Sequence, residues 1–404
     1  MAAEESPDRR VLGVNRDFTL LWIGGAVSAA GSTATMIAMP LLILSTGTPA
    51  DLGLLTSIVM VAGLVTTLPA GAWVDRADKR RLMLVCDLGR FSLQGVLAAT
   101  LLTDQTQLLV ITIVLSATAS LGSLFGTAED PAVRQIVETA QLPRALARNQ
   151  ARTAAAGLCG APLGGVLFVV DPALPFAVSS AAFLFSFACI ALIRSPMPPA
   201  AAISESSIIA TITAGLRFVG QQPFLRATLI QMSGLNLVSN ALWVITIVII
   251  DSNGDHASAG LLMTMGGIGS LLGALVAPSL VQRLPVRTIL VINRLVWAAL
   301  IPLFLITSHP VGLGLIFAAL FFIGPTGTTA LVTAQMANTT EQMQGRASSA
   351  RSLIAGLAAP AGAALIGLAL QHFDRTASIL ALCASMLLLA VLAAASRVLR
   401  DQSR

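Results

Sequence analysis

The chain alternates between long apolar runs and short polar breaks, and apolar runs of this length predict helices that cross a bilayer. Twelve can be marked by number: 18–44, 52–73, 82–103, 107–127, 150–170, 175–194, 224–250, 257–281, 288–307, 311–332, 350–370 and 376–396. Most breaks are only a few residues long. The longest, 195–223, opens with Pro- and Ser-rich linker chemistry. Its later part, 208–219, alternates apolar and small polar residues at helical spacing, which predicts a short amphipathic helix on the membrane surface. That break divides the chain into a first bundle, 1–194, a linker, 195–223, and a second bundle, 224–404.

The two bundles resemble each other. RNQARTAAAGLCGAPLGG (148–165) leads into span 5, and GRASSARSLIAGLAAPAGA (345–363) leads into span 11. The breaks after the second span of each half also correspond, DRADKRR in the first and QRLPVR in the second. Both halves start on the same side, so the repeat is parallel, related by an axis along the membrane normal. The predicted fold class is all-α: twelve transmembrane helices in two pseudo-symmetric six-helix bundles.

Charge decides the sidedness. Only 11% of residues are charged, against about 25% in soluble domains. Nearly every base lies at one set of breaks: Arg9, Arg10 and Arg16, the 76–81 group, Arg134, Arg144, Arg148 and Arg152, Arg194, Arg217 and Arg226, Arg283 and Arg287, Arg346 and Arg351, and the C-terminal arginines. The opposite breaks carry Arg375 alone. The positive-inside rule then predicts a multi-pass protein of the cytoplasmic membrane with both termini and the linker in the cytoplasm. The net charge of +5 is spent on topology. With no basic arm and no interleaved aromatics, it does not suggest a nucleic-acid partner.

The densest charge lies in GAWVDRADKRR, 71–81. Twelve spans in two halves with this stretch between spans 2 and 3 resemble the major facilitator superfamily of secondary transporters, whose loop signature is written GxxxDRxGRR. Gly71, Asp75, Arg76, Arg80 and Arg81 match it, with Asp78 where Gly is usual. The stretches 15–32, 130–150 and 215–230 are similar to the drug-efflux branch that includes macrolide and siderophore exporters. The physical reading agrees: Gly71 allows close helix approach, and Asp75 can face the positive N-terminal end of another helix, which the resemblance identifies as helix 11. The bases can pair with Glu129 or Asp130. Together these would latch the cytoplasmic side. In span 5, Gly157, Gly160, Pro162, Gly164 and Gly165 resemble the antiporter motif GPxxGG with its Pro displaced by one. Plain small-residue packing accounts for the same residues.

The resemblance implies export of a small-molecule substrate by alternating access, with protons as the coupling ion, in a monomer. The alternatives are a dedicated siderophore or metabolite exporter, an importer, or a membrane sensor that does not transport. Polar residues at mid-depth in spans 1 and 7 are the candidates for the substrate cavity: Ser32, Gln231, Asn236, Asn240 and Trp243. Such a cavity would suit a lipophilic or amphipathic molecule. No carboxylate lies near the centre of a span, and Asp87 with Arg90 reads as an i,i+3 structural ion pair. Cys and His have no metal-ligand spacing, no phosphate-binding loop is present, and no arrangement suggests catalysis. No metal and no cofactor are therefore expected, and the four cysteines read as buried free thiols.

Overall fold

The structure, a computed structural model, describes residues 15–103, 107–199, 217, 220–337, 341–396 and 398–399, with only the backbone described at 337 and 341–350. The predicted surface helix over 208–219 falls almost wholly outside the described residues. Among the described residues, twelve helices are long and apolar enough to cross a membrane. They are α1 (Arg16–Thr46), α2 (Pro49–Arg76), α3 (Lys79–Leu102), α4 (Leu108–Ile136), α5 (Leu142–Val170), α6 (Leu174–Ala191), α7 (Pro223–Ser252), α8 (Ala257–Arg283), α9 (Val286–Leu300), α10 (Pro310–Ala337), α11 (Glu341–His372) and α12 (Arg375–Ala395). A 3-10 turn, Ile301–Leu305, continues α9 where Pro302 cannot supply the next backbone donor.

Several helices outrun their apolar runs. α4 continues to Ile136 and α5 begins at Leu142, whereas hydropathy marks 127 and 150. Hydropathy reports where the chain meets hydrocarbon, and a helix keeps its own hydrogen bonds on into water. The ends are set by local chemistry instead. Thr48 and Asp51 form a capping box around Pro49 at the start of α2. Asn15 caps α1 by accepting from the Phe18 amide, while its own Nδ2 donates to the Ile136 carbonyl at the end of α4. Asn15→Ala should therefore lower stability by about 1 kcal/mol, read as a lower melting temperature. An unchanged melting temperature would mean that neither bond matters.

In the first half, α1 packs on α5 and α6, α3 on α4 and α6, and α2 on α4. In the second, α7 packs on α11 and α12, α8 on α10, and α9 on α10 and α12. The halves meet along two seams, α2 with α11 and α5 with α8. Lipid offers no hydrophobic reward for helix contact, so close approach depends on small residues. Gly269 and Gly273 on α8 show this: a Cβ would sit 2.2 Å from the Ala318 carbonyl oxygen and 1.9 Å from that of Phe322, both on α10.

The two ends of the molecule differ. At the end away from the bases, one apolar core spans both halves, joining Ile37, Leu41 and Phe168 to Ile245, Leu262 and Phe317. At the basic end there are two separate cores, one around Phe18, Val74 and Phe125 and the other around Phe224, Leu290 and Leu331. The seams agree. Toward the far end Gly53 on α2 would place a Cβ 2.4 Å from the Ala363 carbonyl of α11, and Gly260 on α8 would place one 2.3 Å from the Ala161 carbonyl of α5. Toward the basic end, Gly71, Gly126, Gly157 and Gly324 have nothing within 4 Å of that position. The halves are closed together at the far end and apart at the basic end.

Candidate functional site

A cavity of about 340 Å³ lies within the first half. Its wall is mostly apolar, with Met36 and Met39 from α1, Val59 from α2, Leu115 from α4 and Phe183 from α6. Its polar groups are Ser32 and Thr35 on α1, Thr118 on α4 and Arg90 on α3. Ser32 and, three residues on, Thr35 are the polar positions of span 1 expected at the cavity that lie on this wall; Gln231, Asn236, Asn240 and Trp243 do not. On α4 the face turned to the cavity carries Thr118 and Gly122, whereas Ser120 turns to α2 and donates to the Ala62 carbonyl.

Arg90 is 5% exposed. It donates to Ser32 Oγ at 2.5 Å and to Ser28 Oγ at 3.3 Å, both on α1, and to Asp87 Oδ1 at 3.3 Å. Its guanidinium lies 3.7 Å from the centre of the Phe183 ring, a cation–π contact. Asp87 is completely buried, although it stands in the half of α3 nearer the basic end. A second pair lies close by: Arg152 on α5 donates to Glu129 on α4. Gly25 on α1 leaves room for it, since a Cβ there would run into both side chains. The second half treats its buried arginine differently. Arg294 on α9 donates to Gln231 Oε1 and its carbonyl and to Asn293 Oδ1, all of them neutral acceptors.

The stretch 71–81 is not a loop but two helix ends separated by Ala77 and Asp78. Asp78 is the N-cap of α3, accepting from the Arg81 amide at 2.9 Å, so an acid replaces the usual Gly for a local reason. Arg80 donates to the Ile190 and Ala191 carbonyls at the end of α6, neutralising orphaned acceptors at a helix C-terminus. Lys79 Nζ donates to the Pro198 carbonyl. The bases are therefore not brought to Glu129, which is held by Arg152, nor to Asp130, which is exposed. Gly71, Asp75, Arg76 and Arg81 are exposed, and Asp75 has no hydrogen bond or ion pair among the described residues. The side chains of 341–350, at the start of α11, lie outside the described residues.

The α5 motif serves two faces. Gly160 and Gly164 lie against the Ala30 and Ala34 carbonyls of α1. Gly165 lies against Ala257 of α8, and Pro162 faces Gly260 across the same seam. Gly157 lies at the open end of the seam with no neighbour. The amides of α7 are tied to other helices or to their own: Gln231 Nε2 donates to the Leu389 carbonyl, Asn236 to that of Ala355 on α11 and Asn240 to that of Asn236. Trp243 packs edge-on against Phe317, 6.2 Å between ring centres. One thiol, Cys159, is exposed rather than buried. Arg90, Thr118, Phe183 and the two methionines are cavity residues that the sequence reading passed over. Asp87–Arg90 spacing is visible in the sequence, but which bundle face it occupies is not.

The chain matches the transmembrane secretion effector family over residues 14–403. It is 28% identical over 403 residues to the multidrug efflux pump Tap of Mycolicibacterium fortuitum, covering 93% of this chain and 94% of that protein. Its fold is that of the nucleoside transporter NupG, with a TM-score of 0.79 at 12% identity, covering 94% of this chain and 99% of that one. A bacterial homologue of the human lysosomal transporter Spinster gives 0.74 at 12% identity over 97% and 99% of the two chains. A bacterial metal transporter gives 0.67 at 19% over 94% and 98%. At these identities the structures speak for the fold alone. With twelve spanning helices, two bundles and a family match over almost its full length, the chain is a multi-pass membrane transporter of the major facilitator superfamily and belongs to its transmembrane secretion effector family.

Proposed function

We propose that this protein is a secondary exporter of lipophilic or amphipathic small molecules, working by alternating access in the cytoplasmic membrane and driven by the proton gradient. The observation that carries the reading is the cavity. It lies within the range of volumes that hold drug-sized ligands, roughly 300–1,000 Å³, and combines an apolar wall that includes Met36, Met39 and Phe183 with a few polar groups. Methionine walls adapt to varied shapes, which suits a range of lipophilic molecules better than one rigid polar metabolite. The resemblance to a protein named as a multidrug efflux pump supports the same direction of transport.

In this reading the basic ends face the cytoplasm, and a monomer rocks its two halves, 1–194 and 224–404, about linker 195–223. The open end is then the cytoplasmic one. The latch at Gly71, Asp75, Arg76, Arg80 and Arg81 engages only when that end closes, with Glu129 and Asp130 at the adjoining end of α4. Gly157, Gly160, Pro162, Gly164 and Gly165 form the hinge seam, and Asn236, Asn240 and Trp243 on α7 face the substrate path from the second half, while Gln231 is buried against Arg294 and serves packing. The test is efflux of lipophilic dyes, ethidium and Nile red among them, from cells making the protein, with and without a protonophore. Dye retention equal to that of cells lacking the protein would sink the exporter reading. Efflux that survives collapse of the gradient would remove the proton.

A further inference from the structure

We propose that Asp87 is the residue that takes up and releases the coupling proton, that Arg90 carries its charge state to the cavity wall, and that the coupled substrates are lipophilic cations. This rests on the proton-driven reading above.

The first ground is how Asp87 is held. It is fully buried, and its one hydrogen bond of full geometry among the described residues is the 3.3 Å contact from Arg90 to Oδ1, with the Ser186 hydroxyl of α6 the other polar group beside the carboxyl. Its other oxygen, Oδ2, has no hydrogen-bond partner among the described residues, and neither has the hydroxyl of Ser186, its neighbour on α6. A buried carboxylate gains most from hydrogen bonds to its charged form, and this one is short of them. A proton on Oδ2 would give it a donor beside an unused acceptor. Glu129 differs: it is gripped by Arg152 and is partly open, with 15% of its side chain exposed.

The second ground is the other half of the molecule. Arg294, on the span that corresponds to α3 in the repeat, is buried against Gln231 and Asn293 with no carboxylate partner among the described residues. This scaffold can therefore bury a guanidinium on neutral acceptors alone. An acid beside Arg90 is more than packing requires.

The third is position. Arg90, Ser32 and Phe183 line the cavity, and Arg90 binds Ser32 and stacks on Phe183. Among the described residues, the ionisable groups around Asp87 are Cys86 and Arg90 on α3, Glu129 on α4, Arg152 on α5 and Cys189 on α6, and α1 presents Ser28 and Ser32 to Arg90. With Asp87 ionised, Asp87–Arg90 and Glu129–Arg152 each sum to zero. Once Asp87 is protonated, Arg90 is an unbalanced positive charge on an apolar wall. A lipophilic cation in the cavity and a proton on Asp87 then exclude each other, which is the condition for exchange. The cation entering from the open end expels the proton from Asp87 to water on that side. After the cation leaves on the other side, Asp87 takes a proton from there. A neutral lipophile feels the charge difference weakly and couples poorly.

The experiment uses the purified full chain in lightly buffered detergent with a pH-indicator dye, and tetraphenylphosphonium as the probe. In the wild type the probe should release about one proton per chain, and its affinity should weaken as pH falls. Asp87→Asn fixes the protonated charge state, so it should release none and bind the probe about tenfold more weakly or worse, independent of pH. Adding Arg90→Gln to that variant removes the stranded charge and should restore binding, still independent of pH. A purely structural ion pair also recovers when both charges are removed, so the discriminating readout is the proton, which the wild type should release on binding the probe and Asp87→Asn should not. Release that persists in Asp87→Asn, or wild-type affinity in that variant, overturns the assignment while leaving proton-driven export standing. Failure of the wild type to bind the probe overturns the cation class. Binding without proton release, together with dye efflux that ignores a protonophore, overturns the proton-driven reading itself.

Discussion

Leucine at Gly53 should drive the transporter out of the conformation seen here and abolish transport. Even a Cβ at this position would lie 2.4 Å from the Ala363 carbonyl oxygen and 2.7 Å from the Gly367 Cα. Both are backbone atoms of α11 and cannot rotate aside, so α2 and α11 must separate at the far end. Overpacking a close contact costs about 1–3 kcal/mol, and each 1.4 kcal/mol is about tenfold in population. The state closed at the far end should therefore lose about one to two orders of magnitude in occupancy. Leucine at Gly71 should act in the opposite sense. Nothing lies within 4 Å of it now, so this conformation is undisturbed, but closure of the basic end is obstructed and the protein accumulates in the state described. Distances between spin labels placed at the far ends of α2 and α11 read both shifts: longer for Gly53→Leu, unchanged for Gly71→Leu. If both substitutions lengthened the distance alike, the assignment of closed and open ends would be wrong.

Glu129→Gln should destabilise the fold by about 3 kcal/mol, because it leaves Arg152 buried without its counter-charge. Arg152 is 5% exposed and enclosed by α1, where Gly25 was kept small to admit it. Arg152→Met in the same chain should recover most of the loss, since a buried ion pair replaced whole by apolar groups is often neutral. Thermal unfolding of the two single variants and the double variant forms the cycle that isolates the pair. A double variant no more stable than Glu129→Gln alone would show that the charge at Arg152 is not what the acid serves.

Much of this architecture is legible in the chain itself. The spans, their number and the grading of bases to one side follow from composition over windows of about twenty residues, because hydrocarbon tolerates neither open backbone nor charge. The repeat is visible too, down to Arg152 against Arg351 and Gly157 against Gly356. Less legible were the helix ends. The stretch 71–81 looks like a loop because it is polar, yet Asp78 followed by bases is an N-cap at the head of a helix, a signal that hydropathy outweighed.

The polar residues of the spans divide the two sources of information most sharply. That Asn236 needs a partner deep in the membrane is a matter of chemistry and readable at once. That the partner is the Ala355 carbonyl, 119 residues on, depends on which helices touch. Glu129 and Arg152 lie on different helices and meet only because α1 makes room at Gly25. Asp87 and Arg90 declare themselves by spacing, but only the bundle turns one of them to the cavity and buries the other completely. The sequence by itself determined twelve spans with their charge at one end, because those features are sums over local residues and the solvent around them, and its motifs carried the resemblance to transporters. Which end is closed, which polar groups line the cavity and which acid stands without enough partners were decided by tertiary packing, because they depend on contacts between helices far apart in the chain.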